Sequence, residues 1–323
     1  MILNSVSVCL CLSVTLTLSL SPYWLSRQTD GQTNSGKTHT IIGETKRGSS
    51  EGEVEQGLVY LALVDIFSHI ENDKSRDYSV QASMVEIYNE VVRDLTCDVD
   101  NNVVEIREDP KTGIYCTAQS HKVDAALQMI LLMKKGLKKR AIEMTSMNDC
   151  SSRSHTIFTV TLESKPKEPS ANNSTTLLST LALVDLAGLE SVKTTNNTGM
   201  RAKEGAKINQ SLLSLGKVIT ALSRPAELHI NFRDSKLTRL LQPNLNVDSK
   251  IAFVCCINPS DRYIESTRST LQFASRAKIV KTRAVVNEVV NDTVKVKQLQ
   301  LELERLKEML CKGADRSCYH SQS

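Results

Sequence analysis

Gly31-Gln32-Thr33-Asn34-Ser35-Gly36-Lys37-Thr38 fits the pattern G-x-x-x-x-G-K-[ST]. Each fixed position has a physical reason. Glycines let the chain turn tightly and bring backbone N–H groups against an anion. The Lys37 ammonium would reach the β- and γ-phosphates of a nucleotide, and the Thr38 hydroxyl would complete a Mg²⁺ shell. The helix expected after the loop adds its positive N-terminal end. Alone, such an octapeptide also suits a plain Gly/Ser turn before a helix, and motifs further along separate the two.

The chain has 323 residues, enough for one large or two ordinary domains with a substantial core. Hydrophobic residues at 40% and charged residues at 24% give a globular mix, not a disordered one. A net charge of +4 permits an acidic partner surface, but aromatics at 4% are too few for the interleaved basic and aromatic face of a nucleic-acid binder. Neither nucleic acid nor a membrane is expected as a partner. None of the nine cysteines forms a CxxC pair, which argues against a zinc ribbon or a disulfide framework. Their odd number beside a phosphate loop points to a reducing cytosol.

Residues 1–28 are a different kind of sequence. Residues 2–20 are apolar residues mixed with Ser and Thr, without charge. They suit a secretory leader ending near Ser21-Pro22, although a positive n-region is missing. The period-2 run from Val14 to Leu20 equally suits a strand, and a foreign N-terminus is the third reading.

After the loop, residues 58–70 carry apolar residues at helical spacing and residues 79–88 alternate as a strand does. A short strand is expected at 103–106 and a helix at 123–144, whose basic run 134–140 reads as a solvated face. Residues 156–163 alternate. Residues 180–185 form a continuous apolar strand ending in a carboxylate, as buried strands do. Helices are expected at 208–222, 235–241 and 265–280, with a buried strand at 251–257. Alternating strands and helices predict an α/β three-layer sandwich.

Two further motifs complete a site. Asn148-Asp149-Cys150-Ser151-Ser152-Arg153-Ser154-His155 gathers hydroxyls, a guanidinium and an imidazole in one short loop, the groups phosphate chemistry uses. Asp185-Leu186-Ala187-Gly188-Leu189-Glu190 follows the buried strand; there Asp185 would hold Mg²⁺ through water and the Gly188 amide would sense a γ-phosphate.

With these in place the chain resembles a kinesin motor domain. The matching segments are GQTNSGKTHT (31–40), NDCSSRSHT (148–156), DLAGLE (185–190), KEGAKINQSLLSLGKVITAL (203–222), NFRDSKLTRLLQ (231–242) and TLQFASRAKIVK (270–281). The resemblance implies a P-loop NTPase-like three-layer sandwich with a central, mostly parallel sheet, and an ATP-driven, microtubule-stimulated ATPase. It implies that residues Gly31 to Thr38, with Asn148 and Ser151, hold ATP, and that Thr38, Ser152 and Asp185 attend Mg²⁺. It also implies that Arg153 and Glu190 form a salt bridge closing the two switches, with Ser152 and Gly188 beside the reacting phosphate. Leu189 stands where the family usually has serine, a position served mostly by backbone. Residues 284–290 (AVVNEVV) are similar to the centromere-associated protein E subfamily, which would place the protein on spindle or kinetochore microtubules.

The family likeness makes 208–222 a relay helix and turns Arg233, Lys236 and Arg239 toward the acidic surface of tubulin. Residues 282–287 resemble a neck linker that docks when the nucleotide site closes. Val296, Leu299, Leu303, Leu306 and Leu310 keep 3-4-3-4 spacing, the seam of a coiled coil that would form a homodimer. The expected organisation is an atypical leader at 1–28, a motor domain at 29–285, the linker end and start of a coiled coil at 286–312, and a disordered tail at 313–323. Ahead of the loop, the R-x-R-P adenine contact and the central strand usual in kinesins are not recognisable, and Arg27-Gln28-Thr29-Asp30 replaces the aromatic-glycine lead. A sheet short of a central strand would leave backbone groups unpaired, so weak folding and weak turnover are expected of this chain. The alternative function is a catalytically impaired, kinesin-like protein that binds microtubules or nucleotide.

Overall fold

In the computed structural model, the structure describes residues 8–11, 25–30, 35–45, 54–99, 102–110, 113–145, 153–168, 175–188, 200–224, 230–245, 249–258, 260–282 and 288–289. Strands are β1 (Val8–Cys11), β2 (Leu25–Asp30), β3 (Gly43–Thr45), β4 (Val54–Gln56), β5 (Arg76–Tyr88), β6 (Val91–Asp94), β7 (Ile106–Asp109), β8 (Gly113–Cys116), β9 (His121–Val123), β10 (His155–Pro166), β11 (Thr176–Asp185), β12 (Lys250–Ile257) and β13 (Glu288–Val289). Helices are α1 (Lys37–Ile42), α2 (Leu58–Asn72), α3 (Ala126–Thr145), α4 (Met200–Leu222), α5 (Lys236–Leu241) and α6 (Ile264–Ile279).

The large sheet runs β1-β12-β2-β11-β10-β5-β6, with β9 added to β5 and β13 to β11. Alternation along its strands feeds two cores. Val80, Ala82 and Met84 of β5, Phe158, Val160 and Leu162 of β10, and Leu181 and Leu183 of β11 pack with α1, α2 and α3. Val85 and Ile87, Ile157 and Val184 point the other way, into the core under α4, α5 and α6. Because a strand turns successive side chains to opposite faces, one alternating strand serves both helix layers. The three-layer α/β expectation holds.

Three details differ from the sequence reading. The sheet is mixed, not mostly parallel: β2 is parallel to both β11 and β12, whereas β10 is antiparallel to β5 and β11, and β5 to β6. The cause is local connection, since β5 and β6 are joined by the two-residue turn Asn89-Glu90, both at positive φ (53° and 63°). The strand expected at 103–106 shrinks to a bridge between Val103 and Arg93, and pairing starts at Ile106 with β8. Most important, a central strand is present. Leu25–Asp30 lies between β11 and β12, with Leu25 opposite both Leu181 and Lys250. The leader boundary expected at residue 28 falls inside that strand, and the substitute run 14–20 lies outside the described residues.

Candidate functional site

Parallel pairing of β2 with β11 sets Thr29 opposite Asp185, so the chain leaves both strands on the same side of the sheet. That edge, outside the carboxyl ends of parallel strands, is where open α/β sheets hold ligands. After β2 the described chain resumes at Ser35, and Gly36 (φ 93°) stands in the left-handed region just before α1, a conformation glycine reaches without steric cost. The turn is closed by the Thr40 N–H, which donates to the Gly36 carbonyl at 2.9 Å. Lys37 and Ser35 are buried beneath it.

The contact that joins loop to strand spans 147 positions: the Thr38 hydroxyl donates to Asp185 Oδ2 at 2.9 Å. A hydroxyl and a carboxylate sharing a hydrogen bond at the end of a buried strand are hard oxygen donors of the kind Mg²⁺ takes. Leu186, Ala187 and Gly188 continue from Asp185 as buried backbone, and Arg153 is half-buried at the turn before β10.

Arg140, Glu86, His155 and Ser211, to which the motif reading gave no individual role, complete the cluster. Arg140, expected on a solvated face, is 5% exposed. Its Nη1 lies 3.4 Å from Asp185 Oδ2, its Nε 3.5 Å from Glu86 Oε1, and its Nη2 donates to the Ser154 hydroxyl at 3.2 Å. Helical spacing corrects the expectation, because Met129, Met133, Gly136 and Arg140 fall on one stripe, turned to the sheet. A Cβ on Gly136 would come within 2.5 Å of Met84 Sδ, which shows how closely α3 is laid on β5. Lys134, Lys135 and Lys138 do face solvent.

His155 begins β10 at 2% exposure. Its Nδ1 accepts from the Ala187 N–H at 3.0 Å, and its Nε2 lies 2.8 Å from the Ser211 hydroxyl of α4. An accepting Nδ1 puts the proton of a neutral ring on Nε2, which therefore donates to Ser211. Burial above all, with the charges of Arg140 and Lys37 nearby, pushes its pKa down to about 3. The imidazole thus ties the start of β10, the segment after Asp185 and helix α4 together. The sequence had offered it only as one polar member of a loop.

Of the other expected site residues, Gly31, Gln32, Thr33, Asn34, Asn148, Ser151, Ser152 and Glu190 lie outside the described residues, as does the 296–310 seam. Arg233 and Arg239, expected as outward cations, both approach Glu108 of β7, at 3.0 and 3.9 Å. Lys236 is exposed at the start of α5, where its N–H donates to Glu90 at 2.7 Å. Just after the expected linker, Glu288 pairs with Leu177 of β11.

The family model of the kinesin motor domain matches residues 20–280. The chain is 40% identical over 280 residues to kinesin-like protein KIN-7D, chloroplastic, of Oryza sativa subsp. japonica, covering 87% of this chain and 27% of that protein. It is 42% identical over 289 residues to kinesin-like protein KIN-7E of Arabidopsis thaliana (87% and 31%), and 41% identical over 290 residues to kinesin-related protein 4 of Dictyostelium discoideum (88% and 14%). The chain thus spans less than a third of the length of each of these relatives. Among solved structures, a fast kinesin described for its ATPase mechanism and microtubule interactions superposes with a TM-score of 0.74 at 35% identity, covering 84% of this chain and 75% of that one. A KIF14 dimer in complex with a microtubule and AMP-PNP gives 0.72 at 35%, covering 83% and 75%. With this family model covering most of the chain, and these structures matching a sheet whose edge joins Thr38 to Asp185, the chain belongs to the kinesin motor-domain family.

Proposed function

We propose that the chain is an ATP-driven microtubule motor unit, in which ATP hydrolysis at the Thr38–Asp185 edge drives movement along microtubules. The observation that carries this reading is the 2.9 Å hydrogen bond between the Thr38 hydroxyl and Asp185, which unites phosphate loop and switch strand. In this reading Gly31 to Thr38, Asn148 and Ser151 surround the phosphates, with Lys37 supplying the buried ammonium. Thr38, Ser152 and Asp185 are the donors for Mg²⁺, the last through water. Such an ion, once bound, neutralises charge on the phosphate oxygens. Gly188 offers its amide to the γ-phosphate, and Arg153 pairs with Glu190 across the switches. Arg233, Lys236 and Arg239 face tubulin. The seam from Val296 to Leu310 would pair two copies.

A finer placement among kinesins, with a spindle or kinetochore location, would follow only from the likeness of residues 284–290 to centromere-associated protein E. The relatives reported above, from two plants and an amoeba, carry other names and do not support that placement.

Phosphate release from ATP, with and without microtubules, tests the proposal. Stimulated release that Lys37→Ala removes, in a variant with unchanged circular dichroism, is the expected result. Such an ammonium typically contributes a few kcal/mol at developing phosphate charge. Microtubule binding without ATP-dependent release would instead establish the impaired, binding-only reading.

A further inference from the structure

The lysines on the outer side of α3 have no part in the nucleotide edge, and their surroundings are not simply polar. At 3.6 residues per turn, Met129, Met133 and Gly136 lay α3 on the sheet, while Leu127, Leu131, Lys134 and Lys138 fall on the opposite side. Leu127 and Leu131 are 66% and 56% exposed, and Lys134, Lys135 and Lys138 are exposed beyond them. A lone exposed leucine is ordinary on a protein surface, but residues four apart on a helix are neighbours, so these two make one apolar patch. Helix propensity does not require leucine there, since lysine and glutamine serve an outer face nearly as well. The next helix of the same layer, α2, adds Leu61 and Val64 at 51% and 42% exposure. Along α3 the face therefore passes from leucine to lysine. Asp98 lies 2.7 Å from Lys135, an exposed pair of little strength that leaves the run strongly cationic.

We propose that the outer face of α3 is a docking surface for an acidic amphipathic helix of a partner protein. Apolar side chains of that helix rest on Leu127 and Leu131, and its carboxylates meet Lys134, Lys135 and Lys138. The charge pattern selects this occupant. Helix recognition uses apolar anchors at i and i+3 or i+4, the spacing of the two leucines, and the lysines one to two turns further on call for carboxylates at matching spacing. Acidic residues favour the first turn of a helix, so the partner's acidic N-terminal turns lie over the lysine end and it runs antiparallel to α3. A bilayer fits the layer less well, because α2 exposes Asp65 and Glu71, which an anionic membrane would repel. Docked there, the partner sits on the layer opposite α4 and α5, so it and a microtubule occupy different sides of the sheet. Only this last step rests on the proposed track face; the docking itself does not depend on the ATP reading.

The test titrates the full chain into a fluorescein-labelled, stapled synthetic helix of about 18 residues, with glutamates in its first turns and leucines at i and i+4 in its last. Saturable anisotropy with a Kd on the order of 10 μM, weakening as salt rises, is the expected result for a small transient interface. Leu127→Ser with Leu131→Ser, and separately Lys134→Glu with Lys138→Glu, should each weaken binding roughly ten-fold without changing circular dichroism. A synthetic helix with lysines in place of its glutamates should recover affinity for the charge-reversed chain. Chain pelleted on microtubules should still hold the original helix. Absence of saturation, unchanged affinity in either folded double variant, or release of the helix by microtubules overturns the proposal. If the leucine variant fails to fold, the charge-reversed chain and its complementary helix decide. Binding to phosphatidylserine and phosphatidylcholine vesicles, without binding of the synthetic helix, assigns the face to a membrane and overturns the proposal too. A chain that does not pellet with microtubules removes the motor reading, and the anisotropy titration alone then decides this inference.

Discussion

His155 offers the sharpest quantitative check on the architecture. In the folded protein both ring nitrogens are engaged and burial holds the pKa near 3, whereas an unfolded chain presents an ordinary histidine at 6.5. Between those values the unfolded chain takes up a proton that the folded chain refuses, so stability falls as pH falls. The contribution is fully present above pH 6.5 and is lost progressively toward pH 3. At pH 5.5, one unit below the unfolded value, the loss is about 1.4 kcal/mol, at 1.36 kcal/mol per unit. That figure is set by the unfolded pKa, and it would be the same if the buried value were 4. His155→Leu removes the titration and leaves the Ala187 N–H without its acceptor, a cost of about 1–3 kcal/mol at pH 7. Urea midpoints of both proteins at pH 7 and pH 5.5 give the comparison, and carboxylate titrations common to both cancel in the difference. The stability gap should narrow by about 1.4 kcal/mol at the lower pH. A gap that stays constant would mean that His155 is not held neutral between Ala187 and Ser211.

Gly57→Ala should destabilise by about 1–3 kcal/mol, the usual cost of overpacking. Its Cβ would lie 2.3 Å from the Ile42 carbonyl carbon and 2.4 Å from the Gly43 nitrogen, backbone atoms that cannot swing aside; an unchanged urea midpoint would refute the close approach of α1 to α2. Lys236→Ala combined with Arg239→Ala should weaken microtubule cosedimentation at low salt, with the deficit shrinking as salt rises. An unaffected affinity at low salt would remove α5 from the track face.

The long strands were legible because their alternation is strong. In β5, residues 80, 82 and 84 serve one core and 85 and 87 the other, and that pattern survives without knowledge of neighbours. Strand β2 was not legible. Ser26, Arg27, Gln28, Thr29 and Asp30 offer no apolar alternation, and the segment is extended because strands on both sides satisfy its backbone groups. Tertiary pairing overrode local preference there, as it does for strand propensities generally. The expectation of a missing central strand failed for that reason. Arg140 was hidden differently: a run of lysines on the outer face of α3 disguised one guanidinium on the inner stripe. Counting back by threes and fours through Gly136 and Met133 would have separated it from its neighbours. Glu86 shares its strand face with Met84 and Ala82, so an acidic residue in a core position was the matching signal on β5.

The buried polar bonds also say how far a change at the Thr38–Asp185 edge can travel. Asp185 is held by the phosphate loop through Thr38, and Ala187, two residues later, is held by His155. His155 is in turn bonded to Ser211, and so to α4. The Ser214 and Thr220 hydroxyls of α4 donate to carbonyls within their own helix, at Gln210 and Gly216, whereas Ser211 reaches outward to the ring. In the proposed motor, a shift of the 185–188 segment toward a γ-phosphate must either carry the imidazole and α4 with it or break the Ala187 or the Ser211 bond inside the protein. Leaving that buried donor unsatisfied costs about 1–3 kcal/mol, so moving together is the cheaper course. Because α4 packs against α5, whose first residue is the exposed Lys236, the 185–188 segment is linked to the proposed track face by two side-chain hydrogen bonds and one helix contact.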